Sequence, residues 1–141
     1  MPGRDRGHSG ETLAVIRAWV KKAENDLKTA DLTLKAGRAA PTDTICFHAQ
    51  QCVEKYLKAL LVARGIEFER IHHISALVAL LPEAVRPDLT PDEQILLTDY
   101  AVSVCYPGET ESVSLDEARR AVAVARRVRS HVRQHLPKGS A

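Results

Sequence analysis

Apolar residues in the first long segment, from Glu11 to Gly37, step by four and three: Ile16, Val20, Ala23, Leu27, Ala30 and Leu34. That period places them on one stripe of an amphipathic helix. Gly37 can adopt the left-handed backbone that closes it. A second pattern follows AAPTDT. Pro41 cannot sit in a helix interior, and Thr42 or Asp43 can cap the free amides. Ile45, Ala49, Val53, Tyr56, Leu57, Leu60 and Leu61 then carry the apolar face as far as Gly65. HISALVALL, ending at Leu81, predicts a short third helix stopped by Pro82. TPDE predicts a fourth: Thr90 caps, Pro91 suits the first turn, and Glu93 reaches back to complete a capping box. SLDE predicts a second box on Ser114 and Glu117, opening a fifth helix with Leu115, Ala118, Val122, Ala125, Val128 and Val132 on one face.

No segment alternates as a strand does, no glycine-rich phosphate loop occurs, and no repeat is visible. The expected fold is all-α, an up-and-down bundle of four to five helices. It should occupy residues 11–137, with loose tails at 1–10 and 138–141.

The chain's 141 residues suit one domain with a substantial core. No apolar run approaches the ~20 residues of a membrane span. The opening MPGRDRGHSG lacks the apolar core of a secretory signal. Three cysteines, an odd number, read as reduced thiols. The expected location is cytoplasmic, with no membrane association.

A net charge of +2 conceals an asymmetry. Residues 87–118 hold eight acids and no lysine or arginine, whereas residues 119–136 hold six arginines and no acid. Either the two regions solvate or pair with one another, or the arginines face a phosphate backbone or an acidic partner.

The stretch FHAQQCVEKYLKALL, Phe47 to Leu61, combines a core helix with many polar groups. His48, Gln51 (or Cys52), Lys55 and Lys58 fall at spacings of three and four and share a stripe. Ala49, Val53, Tyr56 and Leu60 form the apolar stripe beside it. The polar row therefore borders the core. It can serve interhelical hydrogen bonds, or it can line a polar cleft or a subunit contact.

This stretch resembles the signature of HEPN domains. WVKKAENDLKTADLTL resembles the family's first helix. RIHHISAL resembles its Thr-His-Asp-Leu segment, with His72 at the histidine. VCYPGE resembles its Arg-Tyr-Pro loop. The resemblance runs from about Leu13 to Leu136. Cys105 stands where the family usually has arginine, so a phosphate contact by that residue would be lost. His73 stands where the family tends to have Asp or Ser. Arg38 and Arg70 lie elsewhere.

The resemblance implies two kinds of function. Some relatives pair with a minimal nucleotidyltransferase domain, in toxin–antitoxin type systems, and bind nucleotide or substrate. On that reading His48, Gln51, Lys55 and His72 line a groove near Tyr106 and Pro107, and Arg127 contacts RNA. Others are metal-independent ribonucleases using an arginine followed after four to six residues by a histidine, with the site built across a dimer. Arg126 and His131 match that spacing, as do Arg129 and His135. A histidine could deprotonate the 2′-hydroxyl and an arginine steady the phosphorane charge. At about 100° per residue, Arg126 and His131 lie about 140° apart on a straight helix, so they meet only across a two-fold axis. A third reading is a non-catalytic interaction module whose arginine helix docks an acidic protein.

His48 with Cys52, and His131 with His135, each offer two ligands where zinc wants three or four. No metal and no cofactor are expected. Trp19, Ile45 and Phe47 fall outside the inner stripes, which predicts a homodimer with a largely apolar interface.

Overall fold

The computed structural model describes residues 9–105 and 113–140, with the side chains of 99–105 outside the description. Five α-helices run in order: α1 (Gly10–Leu34), α2 (Thr42–Ala63), α3 (Ile74–Leu80), α4 (Pro91–Cys105) and α5 (Leu115–Gln134). Short 3-10 turns at Gly37–Ala39 and Glu83–Val85 interrupt the connections. No strand occurs among the described residues. The fold is all-α, as the periodicities predict.

The helix ends follow their local chemistry. Ser9 caps α1 by accepting from the Thr12 amide at 3.0 Å. At α4 the capping box closes in both directions: the Glu93 amide donates to Thr90 at 3.1 Å, and the Thr90 amide donates to Glu93 at 2.9 Å. Ser114 accepts from the Glu117 amide at 3.0 Å and starts α5. The start of α2 differs from expectation. Thr42 does not cap it; its hydroxyl donates to the Val113 carbonyl at 2.6 Å and ties α2 to the segment before α5. Asp43 accepts from the adjacent Thr44 amide instead. Gly65, at φ +70°, closes α2, and the Ile66 amide reaches back to the Leu61 carbonyl at 2.9 Å.

Helix α2 is the axis of the molecule. It packs against all four other helices, most extensively α1 and then α5, while α3 packs on α4. Tyr56, Leu57, Leu60 and Leu61 are fully buried there with Ile16, Ile74, Leu77 and Val128. Truncating one such leucine to alanine costs about 2–5 kcal/mol, through lost transfer energy and the cavity left behind. Ile45 is fully buried within this same core, so it offers nothing to a subunit contact. Trp19 and Phe47 are half-buried, and Trp19 meets Phe68 edge-on, with centroids 6.0 Å apart. Residues Lys138–Ser140, expected as a loose tail, lie against α1: Arg17 donates to the Gly139 carbonyl at 2.7 Å, and Ser140 is buried. Ser9 and Gly10, assigned to the N-terminal tail, cap and begin α1. No helix among the described residues is long and apolar enough to cross a membrane.

Candidate functional site

The polar row of α2 divides in two once its neighbours are in place. On the α1 side, Asp26 takes His48 Nδ1 at 2.8 Å on one carboxylate oxygen and Lys55 Nζ at 2.5 Å on the other. His48 and Lys55, seven residues apart, lie on one helix face, and α1 supplies the acceptor between them. All three side chains are mostly shielded from solvent.

The second cluster lies on a neighbouring strip of α2. Gln50, Glu54 and Lys58 follow one another at four-residue spacing, and all three are buried. Gln50 donates to Glu54 at 3.2 Å, and Lys58 donates to the other Glu54 oxygen at 2.8 Å. Lys58 Nζ also lies 5.3 Å from the Trp19 ring centroid and 5.8 Å from that of Phe68, over aromatic faces that favour a cation. His72 closes the cluster from the loop before α3. Its Nδ1 sits 3.0 Å from Lys58 and 3.2 Å from Glu54. That nitrogen either accepts from the ammonium or, protonated, donates to the carboxylate. Gln51 joins by donating to Gln50 at 2.8 Å. The chain Gln51–Gln50–Glu54–Lys58–His72 thus runs from one half-buried end through a buried centre to an imidazole whose side chain is 68% exposed.

Of the expected groove residues, then, Gln51 and His72 share one network, while His48 and Lys55 share another. Lys58 belongs with Glu54, not with the His48–Lys55 stripe. Tyr106 and Pro107 lie outside the described residues. Asp26 was not singled out from the sequence; Gln50 and Glu54 stand among the polar residues of the Phe47–Leu61 stretch but were not assigned to the groove. The four-residue spacing of Gln50, Glu54 and Lys58 was visible there; the contribution of Asp26 was not, because it comes from α1.

Among the described residues, four of the six arginines of α5 are engaged by carboxylates. Arg129 donates to Glu24 through Nε at 2.6 Å and through Nη2 at 3.2 Å. The Tyr56 hydroxyl also donates to Glu24, and Arg133 donates to that hydroxyl at 3.3 Å. Burial alone would raise the Glu24 carboxyl, but the Arg129 and Tyr56 hydrogen bonds outweigh it and hold the pKa below its ordinary 4.5. Burial and the Glu24 charge push the Tyr56 phenol up. Arg126 pairs with Asp31 of α1, Arg127 with Glu93 of α4 at 2.6 Å, and Arg119 with Asp116 at 3.3 Å. The Arg127 hydrogen bond draws the Glu93 carboxyl below 4.5. Two of these acids, Glu24 and Asp31, come from α1, outside the acidic 87–118 stretch.

Arg126 and His131 do not converge within the chain. Arg126 points to α1, while His131 Nε2 donates to the Val85 carbonyl at 2.7 Å. Arg127 and His131 share the side of α5 facing α4 and the Glu83–Val85 turn. His135 stacks on His131, centroids 4.6 Å apart, and donates to the His131 carbonyl. Among the described residues no three His, Cys, Asp or Glu side chains group as a metal site. Cys46 and Cys52 are both buried and outside any disulfide among the described residues, and burial raises the Cys52 pKa, which makes it a poor source of thiolate.

Known proteins share this fold. A crystal structure of TT1696 from Thermus thermophilus superposes with a TM-score of 0.68 at 29% identity, covering 86% of this chain and 98% of that one. The crystal structure of ST0689, described as an archaeal HEPN homologue, gives 0.67 at 26% identity with the same coverage. A Methanocaldococcus jannaschii protein named "Putative toxin MJ1304" is 40% identical over 62 residues, 44% of this chain and 39% of that protein. The family model of the HEPN domain matches residues 16–135. With that match spanning most of the bundle, the chain belongs to the HEPN domain family.

Proposed function

We propose that this HEPN domain binds RNA or a nucleotide, as one component of a toxin–antitoxin type pair with a minimal nucleotidyltransferase partner, and that it works as a homodimer. The observation that carries the binding reading is the Gln51–Gln50–Glu54–Lys58–His72 network. Buried charged and amide groups are costly to a core, and apolar residues would pack an axial helix at no such cost. Here they form a graded row of donors and acceptors that reaches the surface at Gln51 and His72. Amide and imidazole groups of this kind suit the edge of a base, and Lys58 behind them supplies positive charge. The likeness to a protein named as a toxin supports the class of system.

Binding is favoured over cleavage by the engagement of Arg126 and His131 on opposite sides of α5. A ribonuclease would have to assemble that pair across the two-fold axis. The test is calorimetric titration of the purified, nuclease-treated chain with nucleoside triphosphates and a short single-stranded RNA, repeated with His72→Ala. Binding that weakens about tenfold on loss of one polar contact is the expected result. No heat with any of these ligands overturns the reading.

A further inference from the structure

Helix α1 carries a second face that the bundle leaves open. Glu11, Ala14, Val15, Ala18, Trp19 and Lys22 occupy one arc, turned about 120° from the core stripe at about 100° per residue. Val15 is 45% exposed, and Glu11, Ala14, Ala18 and Lys22 are exposed with it. A shallow, almost wholly apolar groove of about 350 Å³ follows this arc from Ala14 to Lys22. Ala14 and Ala18, one turn apart, allow a second helix backbone to come close, and Val15 and Trp19 flank the approach.

We propose that this face is the two-fold interface of the homodimer, with α1 packed antiparallel on the α1 of a second copy. The inference rests on the dimeric reading above and deepens it by naming the surface. The charge pattern selects the occupant. The apolar residues centre between positions 16 and 17. A two-fold axis there sets Ala14 against Trp19, Val15 against Ala18, and Glu11 against Lys22 of the other copy. The same carboxylate–ammonium pairing then occurs twice, and the surface is complementary to itself. A parallel arrangement would oppose Glu11 to Glu11 and Lys22 to Lys22. Among the described residues neither the Glu11 nor the Lys22 side chain has a hydrogen bond or ion pair within its own chain. Trp19 connects the interface to the polar network, because its ring also lies under Lys58. Each copy's Glu54–Lys58–His72 cluster is therefore one side chain away from the contact.

Sedimentation velocity and light scattering on the full chain at tens of micromolar test this. The wild type is a dimer. Glu11→Lys and Lys22→Glu each raise its dissociation constant about tenfold, and the two together restore it to within about threefold. Val15→Glu gives a monomer with an unchanged circular dichroism spectrum. A monomeric wild type overturns both the dimeric reading and this interface. A dimer that withstands Val15→Glu, or that the double reversal does not restore, overturns the interface and leaves the dimeric reading standing.

Discussion

Helices α2 and α5 both present rows of charge, but under opposite conditions. On α2, Glu54 and Lys58 are withdrawn from water and hold each other, Gln50 and His72 within a few ångströms. On α5 the arginine forks lie toward solvent, and each paired one reaches a carboxylate on another element or one turn away. Buried ion pairs are strongly coupled, because removing one member strands the other in a poor dielectric. Surface pairs exchange freely with water and salt and contribute little each. A helix dense in arginine is therefore a weaker pointer to a ligand than a few polar groups held inside. The α5 row ties that helix to α1 and α4. The α2 row costs stability wherever it is incomplete, which is why we assign it the function.

Breaking the buried pair should have the largest effect. Lys58→Ala leaves the buried Glu54 without its ammonium partner, and about 3–5 kcal/mol of stability should be lost. Glu54→Leu combined with Lys58→Met should recover most of it, as chemical denaturation would measure. Equal losses in the single and double variants would mean that the pair is not electrostatically coupled.

Acid should separate the two regions next. Glu24 and Glu93 have folded-state pKa values below their ordinary 4.5. In that range the unfolded chain binds more protons, so stability rises with pH. Their contribution is complete above 4.5 and drains away as the pH falls through the lowered folded values. Melting temperatures of wild type and Glu24→Gln measured across the acid range should converge toward low pH. A constant gap would show that Glu24 acts through packing, not through its charge.

The smallest effect belongs to Arg127→Ala. Its partner Glu93 lies at the surface end of α4, and the loss should stay within about 1 kcal/mol and shrink with added salt. If the arginine instead contacts nucleic acid, its removal lowers the log–log salt slope of RNA binding by about 0.7–0.9.

Much of this molecule was legible in the sequence because the signals were local. The α1 stripe from Ile16 to Ala30, the Thr90–Glu93 box and the left-handed Gly37 depend on neighbours a turn away. What escaped depends on distant partners. Thr42 has the right chemistry for a cap, yet Val113, remote in sequence, takes its hydroxyl. The α2 row read as one stripe because helical spacing cannot say where α1 will place Asp26. The acids that hold Arg126 and Arg129 sit on α1, and only the packed bundle brings them to α5.

The central claim, that the α2 network faces a ligand, is tested most directly at Gln51. It is half-buried at the network's edge, and among the described residues its side chain makes one hydrogen bond, to Gln50. Gln51→Ala should therefore leave the melting temperature nearly unchanged and weaken nucleotide or RNA binding about tenfold in calorimetric titration. A large fall in melting temperature with the affinity intact would contradict the account and make the row a structural one.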